Sequence, residues 1–568
     1  MSGLDTTDRH EDEAVVCLVD GDVFNAAELG GRADAGAAEL VARLAAEHGF
    51  AEAVARLNGD FAIRLEDRRD GTVWLARDRF GVRPLYHLHD APAATASRPG
   101  ELLRREGVDR SPERSFVARF AASHYRTFDN DPAASPYQAI GQLPAAHVAS
   151  VRDGRMQMER YWSLEEAPDF DAPEAELAER YRELLLDSVG RRLAVSGRAG
   201  FTLSGGMDSS TVLASAVHLT GQRQHAYSTL YSGSEYDESD EIESMLQSSV
   251  EQWHRVVVDE PDVPALVGEM IAAHEEPIAT ATWLSHHVLC REVAEAGFDS
   301  VFGGLGGDEL NAGEYEYFLY RFADLRAAGD EDSLRHEVAE WQRHHDHPVF
   351  HKNWDVMEAG LERFTDPAHP GAIRPDRTRI EKYNAVLRGD FYDLRDFRHV
   401  MDRPFTSYLK NRTYQDMFRE TAPCCLRAED RQTRANGLRN RDPFFDHRLA
   451  ELMFRVGGAH KIRDGVTKRL LREATKGLLP DETRNRIKKT GWNAPGDLWF
   501  SGAGRDMLHD LVGASDFRAA HVYDVDELRR LIDEHDKIVR SGRPAENHMM
   551  LLWQLVNLEL WLRWLDDL

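Results

Sequence analysis

The sequence predicts an α/β protein whose central part is a parallel sheet covered by helices on both faces. Residues 201–203 have strand-like character, and a glycine turn and a helix over residues 208–217 follow them. Further strand and helix patterns alternate between residues 173 and 310, which is typical of a doubly wound sheet. Apolar and polar residues alternate near residues 61–76, which indicates a half-buried sheet in the N-terminal part. Ligands are therefore expected at the carboxyl ends of the parallel strands.

Composition restricts the class of protein. The chain has 568 residues, enough for two or three domains, and 42% of them are hydrophobic. A net charge of −28 argues against nucleic acid as a partner. There is no apolar run of about eighteen residues and no apolar segment of a signal peptide, so we expect a cytoplasmic protein with no membrane partner.

Cysteine and lysine usage adds two observations. The four cysteines match no zinc-binding spacing, so reduced structural thiols are expected. Lysine occurs only nine times among the 70 basic residues, and the first lysine is Lys352. A high-salt cytoplasm and GC-rich coding explain this bias equally well, and a melting curve against KCl would separate them.

The N-terminal part contains strands and two helices. A strand is predicted over residues 15–19, a turn at Asp20-Gly21-Asp22, and helices over residues 37–47 and 51–57. Strands over residues 61–65 and 72–76 follow, and residues 165–173 form a linker rich in Glu, Asp and Pro.

The second part begins with a helix over residues 173–193. Strands are predicted over residues 225–231, 255–258 and 300–304, in addition to the strand at 201–203. Residues 236–238 are expected to open another helix, and the chain is mostly helical from Glu314 to the end.

The stretch after the strand at 201–203 has the features of an anion site. Backbone N–H groups beside glycines approach a phosphate closely, and a helix N-terminus favours negative charge. It is not a Walker loop, and the alternative is an ordinary glycine turn.

The motif S-G-G-x-D-S-S at residues 204–210 resembles the pyrophosphate loop of enzymes that cleave ATP to AMP and pyrophosphate. The nucleotide-binding residues that the resemblance implies are Leu203, Ser204, Gly205, Gly206, Asp208, Ser209, Ser210, Ser228 and Gly304.

Residues 19–25, 57–62 and 76–86 resemble the glutaminase domain of the glutamine-hydrolysing asparagine synthetase family. The resemblance implies an αββα domain of the N-terminal-nucleophile type over residues 1–165. That domain uses a cysteine at position 2, where this chain has Ser2. We therefore expect a truncated domain without glutaminase activity. Ser2 as a replacement nucleophile is the open alternative, and Cys17 is expected in the core.

Residues 303–310 and 484–495 resemble two further elements of the same family, as do shorter motifs at 430–431, 437–446 and 468–472. The shorter motifs are expected to shape the substrate side of the cleft, with helix packing and ion pairs as the alternative. The resemblance implies an ATP-pyrophosphatase domain over residues 166–568 with a helical C-terminal extension. By this match Asp208 and Asp308 hold Mg²⁺ and Lys489 stabilises the transition state, with Lys488 as the fallback. The alternatives are a helix cap for Asp308 and a solvated basic turn for the two lysines.

Two positions depart from the family pattern. Leu305 stands where asparagine-forming members have Glu, and Arg439 stands where the family usually has Glu. Leucine cannot relay a proton, which leaves the acceptor acid and the nucleophile open.

We expect an ATP- and Mg²⁺-dependent synthetase that adenylates a small-molecule carboxylate and transfers ammonia or an amine to it. The alternatives are amidation of a sugar uronate, cyclisation of a specialised acid or peptide, and a non-catalytic nucleotide-binding regulator. The protein partners we consider are a separate glutaminase, because the nucleophilic cysteine is missing, and a second copy of the chain in a homodimer.

Overall fold

The computed structural model describes residue 4 and residues 8–32, 35–232, 238–347, 350–488, 493–543 and 545–568. Ser2, Tyr236, Asp237 and Lys489 lie outside the described residues. The fold is mixed α/β, with an antiparallel N-terminal part, a parallel sheet and a helical C-terminal part, as the sequence predicts. Among the described residues, no helix combines the length and the apolar character that a membrane span needs.

The N-terminal part contains nine of the described strands and four of the described helices. The strands are β1 (Arg9–Glu11), β2 (Val15–Val23), β3 (Gly59–Asp67), β4 (Val73–Arg77), β5 (Tyr86–Leu88), β6 (Thr95–Ala96), β7 (Ile140–Gln142), β8 (His147–Arg152) and β9 (Arg155–Arg160). The helices are α1 (Ala37–His48), α2 (Phe50–Arg56), α3 (Pro99–Leu103) and α4 (Arg114–Ala122).

Six of these strands form an antiparallel sheet in the order β1-β2-β3-β4-β8-β9, and α1 and α2 share a hydrophobic core with it. Cys17 is fully buried in that core, as expected, and burial raises the pKa of its thiol. A smaller antiparallel sheet has the order β6-β5-β7.

The predicted turn at Asp20-Gly21-Asp22 is wrong, because β2 continues through it and pairs with β3 in unbroken register. Arginines from much later in the chain bind both carboxylates. Arg434 Nη2 donates to Asp20 Oδ1 at 2.6 Å, and Arg441 Nη1 donates to Asp22 Oδ2 at 2.8 Å. The acidic residues therefore stay in the strand because distant partners compensate their charge.

The central part alternates strands and helices. Its strands are β10 (Ala199–Thr202), β11 (Gln224–Leu230), β12 (Val250–Val257) and β13 (Ser300–Phe302), with β14 (Arg439–Arg441) added much later in the chain. Its helices are α5 (Glu174–Ala194), α6 (Met207–Thr220), α7 (Glu243–Ser249), α8 (Val263–His274), α9 (Thr282–Glu295) and α10 (Gly307–Asn311).

These five strands form one parallel sheet in the order β12-β11-β10-β13-β14. The sequence predicts four of them, although β12 begins five residues earlier than expected. Strand β14 was not predicted. It has three residues, two of them arginines, and therefore lacks the apolar run that marks a buried strand.

The C-terminal part is mostly helical, as the sequence predicts. Its helices are α11 (Tyr317–Ala327), α12 (Glu331–His345), α13 (Trp354–Phe364), α14 (Thr378–Tyr383), α15 (Tyr408–Phe418), α16 (Thr421–Ala435), α17 (His447–Met453), α18 (Arg469–Ala474), α19 (Asp481–Asn485), α20 (Gly496–Trp499), α21 (Ala503–Gly513), α22 (Val525–Arg540) and α23 (Met549–Asp566).

The N-terminal and C-terminal parts share a hydrophobic core. Side chains of α4, such as Phe116 and Phe120, belong to the same buried cluster as Trp553 and Trp561 of α23. Trp561 Nε1 donates a hydrogen bond to the hydroxyl of Tyr137 at 3.0 Å. The smaller N-terminal sheet and its helices therefore pack as part of the C-terminal core.

Candidate active site

A cavity of about 590 Å³ lies at the carboxyl ends of β10, β11 and β13. Two glycine loops form part of its wall: the first loop is residues 203–206, and the second loop is residues 303–306. This is the position where doubly wound sheets bind ligands, and the sequence places both loops there.

The first loop presents backbone and hydroxyl groups beside the N-terminus of α6. Gly205 donates its backbone N–H to Glu238 Oε2 at 2.9 Å, and the hydroxyl oxygens of Ser204 and Ser209 lie 3.0 Å apart. Ser228 Oγ donates to the carbonyl of Leu203, which ties the loop to β11. The wall therefore combines hydrogen-bond donors with the positive end of a helix dipole, which suits an anion.

Most of the predicted nucleotide-binding residues lie on the cavity wall: Leu203, Ser204, Gly205, Gly206, Asp208, Ser209, Ser228 and Gly304. Ser210 does not. Its hydroxyl donates to the carbonyl of Gly206 at 2.9 Å, and the residue is buried. A position three residues into α6 turns away from the cavity because successive side chains rotate around the helix.

The second loop packs closely against the start of α6. A Cβ added to Gly304 would lie 2.5 Å from the backbone nitrogen of Ser209, and one added to Gly307 would collide with the carboxylate of Asp208. Gly306 has φ of +86°, and a side chain there would also meet the ring of Phe445. Because these positions are glycines, the two loops can approach each other closely, and Asp208 and Asp308 both line the cavity.

Lys468 joins the two predicted metal ligands. Its ammonium forms ion pairs with Asp208 and with Asp308, the second at 2.7 Å, and its side chain is 7% exposed. The backbone of Lys468 has φ of +57°, which is costly for a residue with a side chain and is often found at functional sites. The family motif at residues 468–472 marked Lys468 as a candidate cleft residue, but its position between the two predicted metal ligands was not predicted.

The residues present fit a magnesium–nucleotide complex. Mg²⁺ takes one or two carboxylates together with phosphate oxygens and water, and Asp208 and Asp308 are two carboxylates at one cavity wall. The glycines that face these two carboxylates leave room beside them that a Cβ would otherwise occupy. Among the described residues, no group of three or more acidic, histidine or cysteine side chains could hold a metal ion. Mg²⁺ bound with a nucleotide would take its other ligands from phosphate oxygens and water.

Further cationic side chains line the cavity, one of them beside the first loop. Arg486 Nη1 donates to the carbonyl of Gly205 at 2.8 Å, and Arg472 and Lys488 also line the wall. Burial lowers the pKa of Arg472 to about 10. The fallback lysine, Lys488, is thus at the cavity, while the role of Lys489 stays a prediction outside the described residues.

Other cavity residues have shifted pKa values. Burial, together with the charge of Asp308, raises the pKa of Glu309 to about 8. Burial lowers the pKa of His286 to about 4, so this imidazole is neutral near pH 7. Burial and the adjacent Asp442 raise the pKa of Glu429 well above its usual range. Leu305 also lines the cavity and supplies no titratable group.

Helix α16 carries Glu429 and is held by the N-terminal part. Arg83 forms a buried ion pair with Asp430, which also accepts a hydrogen bond from Arg434 Nε at 2.9 Å. Burial raises the pKa of Asp430, but Arg434 and Arg83 outweigh burial and lower it to about 2. Tyr125, also from the N-terminal part, lines the cavity. The N-terminal part therefore helps to build the site.

His274 gives α16 a pH-dependent neighbour. Burial, with the guanidinium groups of Arg431 and Arg427 of α16, holds its pKa well below 6.5. The unfolded chain binds a proton at this histidine below pH 6.5 and the folded chain does not, so stability falls as pH drops from 6.5. Between pH 7.5 and pH 5, the free energy of unfolding should fall by about 2 kcal/mol less in His274→Leu than in the unmodified protein, because the variant lacks this histidine. Urea unfolding at both pH values measures it.

The control for this prediction is His218→Leu, because His218 is exposed on α6. We expect this variant to lose the same stability between the two pH values as the unmodified protein. If the stability of His274→Leu depended on pH as strongly as that of the unmodified protein, the prediction would be wrong. Because only the difference between the two pH values is compared, the effect of the leucine side chain on packing cancels.

Fold and cavity together define an α/β protein with a polar, charge-lined cavity at the carboxyl ends of a parallel sheet. Residues 180–563 match the asparagine synthase family, and residues 9–162 match a glutamine amidotransferase domain. The chain therefore belongs to the asparagine synthase family, and the resemblance seen in the sequence is confirmed.

Three relatives illustrate the range of this similarity. Glutamine-hydrolysing asparagine synthetase 1 of Bacillus subtilis is 23% identical, over 97% of this chain and 87% of the relative. A putative glutamine-hydrolysing asparagine synthetase of Mycobacterium tuberculosis is 25% identical, over 90% of this chain and 78% of the relative. Amidase chry2 of Gibberella zeae is 24% identical, over 84% of this chain and 75% of the relative.

Proposed function

We propose that this protein forms an amide bond at the expense of ATP, releasing AMP and pyrophosphate. Family membership supports an ATP-dependent carbon–nitrogen ligase, and one feature of the site carries the more specific proposal. Two glycine loops bring Asp208 and Asp308 to one wall beside a helix N-terminus, with Lys468 between them. That wall suits the phosphates of a nucleotide.

The proposed reaction has two steps. A carboxylate oxygen of the acid attacks the α-phosphorus of ATP, and the bond to the β-phosphate oxygen breaks to release pyrophosphate. The nitrogen of ammonia or an amine then attacks the acyl carbon, the bond to AMP breaks, and the nitrogen loses a proton.

The chain's own residues have separate roles in this scheme. Asp208 and Asp308 would hold Mg²⁺, which neutralises phosphate charge when bound. The first loop and the N-terminus of α6 orient the phosphates, while Lys468, Arg472 and Arg486 stabilise the negative charge that develops. Lys489 keeps its proposed role at the transition state, with Lys488 as the fallback.

The acceptor acid is the less specific part of the proposal. Leu305 at the cavity favours an acid other than aspartate, since the Glu of asparagine-forming members is missing. A uronate or a peptide carboxylate is the second candidate. We also propose a domain boundary near residue 165 and nitrogen supplied as free ammonia, as an amine or by a separate glutaminase.

The test is release of AMP and pyrophosphate from Mg²⁺ and ATP with aspartate and ammonium, followed by a panel of uronates and peptide carboxylates. We expect acid-dependent release in equal amounts, and none from Asp208→Ala, because this variant loses a predicted Mg²⁺ ligand. Nucleotide binding without release for any acid would contradict the proposal and favour a regulator. Replacing ammonium by glutamine tests the expected lack of glutaminase activity.

A further inference from the structure

The backbone just before Lys468 is unusual, because three residues within five positions are left-handed. Asp464 and Gly465 have φ of +56° and +67°, and Lys468 itself has φ of +57°. This conformation is unfavourable for a residue with a side chain, so surrounding contacts must hold it. The residues that make these contacts therefore decide where the side chain of Lys468 lies.

Residues 463–466 form a tight turn that ends two positions before Lys468. The backbone N–H of Arg463 donates to the carbonyl of Val466 at 3.1 Å, and the N–H of Val466 donates to the carbonyl of Arg463 at 3.0 Å. Positive φ at both central residues defines a type I′ turn, in which Asp followed by Gly is common. The orientation of this turn sets the start of the segment that carries Lys468.

Helix α12 binds the turn through one carboxylate. Glu337 Oε1 accepts the backbone N–H of Asp464 at 2.9 Å, and Glu337 Oε2 accepts that of Gly465 at 3.1 Å. Glu337 is 3% exposed, and hydrogen bonds to a carboxylate are stronger than those between neutral groups, most of all where water is excluded. A single side chain thus holds both central residues of the turn.

His345, at the C-terminal end of α12, adds a second contact. Its Nε2 lies 2.8 Å from the carbonyl oxygen of Gly465, and this nitrogen donates the hydrogen because a carbonyl oxygen only accepts. A Cβ on Gly465 would lie 2.7 Å from the carbonyl of Glu340, so the turn also packs against the backbone of α12. The His345 ring contacts the ring of Tyr315, which lines the cavity.

These contacts lie behind the cavity wall. Thr467 and Lys468 line the cavity, whereas Glu337 and His345 do not. On the other side of the segment, Arg472 Nε donates to the carbonyl of Thr467 at 2.9 Å. Because Glu337 and His345 lie outside the cavity lining, any effect of theirs on a reaction there must pass through the segment that carries Lys468.

We propose that Glu337 and His345 are positioning residues for the reaction. By binding the turn, they place the ammonium of Lys468 between the two predicted Mg²⁺ ligands. The inference rests on the proposed amide-forming function, in which Lys468 stabilises charge that develops on the phosphates. A displacement of about 1 Å at a catalytic group can lower a rate about 100-fold, so contacts outside the cavity have a measurable effect.

The first test is Glu337→Gln, which keeps the shape of the side chain. An amide has one accepting oxygen, and its NH₂ group cannot accept the second backbone N–H. We expect kcat for release of AMP and pyrophosphate to fall about 10- to 100-fold, while KM for ATP stays within about twofold. The control is Glu559→Gln, a buried carboxylate of α23 that accepts the backbone N–H of Ala519 and lies outside the cavity lining. It should keep the original kcat.

A double-mutant cycle with Lys468→Met separates positioning from a merely structural role. In the Lys468→Met background, Glu337→Gln should change kcat by less than about twofold, because the side chain that Glu337 positions is absent. A structural role would lower kcat by the same factor in both backgrounds. Radiolabelled ATP makes the slow rates measurable.

His345→Phe is the second variant and carries the test if Glu337→Gln does not fold. It keeps a ring beside Tyr315 but removes the N–H that binds Gly465. We expect its kcat to fall by a smaller factor than that of Glu337→Gln, again only while Lys468 is present.

Three results overturn the inference: an unchanged kcat in the folded variants, equal losses of kcat with and without Lys468, and normal release by Lys468→Met. If the unmodified protein releases no pyrophosphate with any acid, the proposed function fails, and the inference fails with it. Release by the unmodified protein together with one of the three results refutes the inference alone, so the two failures are distinguishable.

Discussion

Lys468→Met is expected to lower the rate of AMP and pyrophosphate release about 1,000-fold, which corresponds to about 4 kcal/mol of transition-state stabilisation. The ammonium of Lys468 contacts both Asp208 and Asp308, and its side chain is almost fully buried at the cavity wall. Without this charge the two carboxylates repel each other, and the developing charge on the phosphates loses a fixed cation. A coupled assay for pyrophosphate measures the rate.

Two further variants make this prediction specific. Lys468→Arg should also be impaired, because Lys468 Cε packs against Gly313 so closely that a Cβ on Gly313 would collide with it. The wider guanidinium therefore has no room. Lys476→Met is the control, since Lys476 is exposed, follows α18 and is not a cavity residue. Normal release by Lys468→Met would show that this lysine has no part in the reaction.

Arg83→Met is expected to destabilise the protein by about 3–5 kcal/mol, the usual result of removing one partner of a buried ion pair. The side chains of Arg83 and Asp430 are 1% and 0% exposed, and they join the N-terminal part to α16. The substitution leaves the Asp430 carboxylate buried with Arg434 as its remaining ion-pair partner among the described residues. The melting temperature by calorimetry and unfolding in urea measure the loss.

Arg388→Met provides the comparison for Arg83→Met. Arg388 pairs with Asp390 at 2.7 Å, but the two side chains are 47% and 70% exposed, so the loss of this pair should leave the stability nearly unchanged. Adding Asp430→Asn to Arg83→Met should recover part of the stability, because the uncompensated charge disappears. Equal effects of Arg83→Met and Arg388→Met would contradict the role of burial.

The sequence predicts the two loops of the candidate site because each is a local pattern of strand, glycine turn and helix. Asp208, Ser209 and Gly304 accordingly lie at one cavity. Ser210 was assigned with them and turns away, since sequence neighbours on a helix face different directions. Whether Asp208 and Asp308 bind Mg²⁺ stays a prediction.

Glu429 was not predicted as a member of the site. The motif at residues 468–472 placed Lys468 at the substrate side of the cleft, but not between Asp208 and Asp308. Glu429 and Lys468 both lie more than 200 residues after Asp208, in segments whose local pattern indicates ordinary helix packing. Glu429 lies on α16 and Lys468 on the turn before α18, and the packing of these two segments places both residues at the cavity wall. A role that depends on such distant contacts is not visible in a local pattern, and for Lys468 the family motif indicated only a place near the cleft.

The sequence by itself determined the fold class, the family and the placement of two phosphate-type loops, because periodicity and glycine turns act over a few residues. Only the tertiary structure decided that Asp20 and Asp22 remain in a strand, that β14 joins the parallel sheet and that Glu429 lies behind the second loop. These outcomes depend on charge compensation and packing between distant segments. The stabilising free energy of such contacts exists only in the folded chain, so no local sequence pattern indicates it.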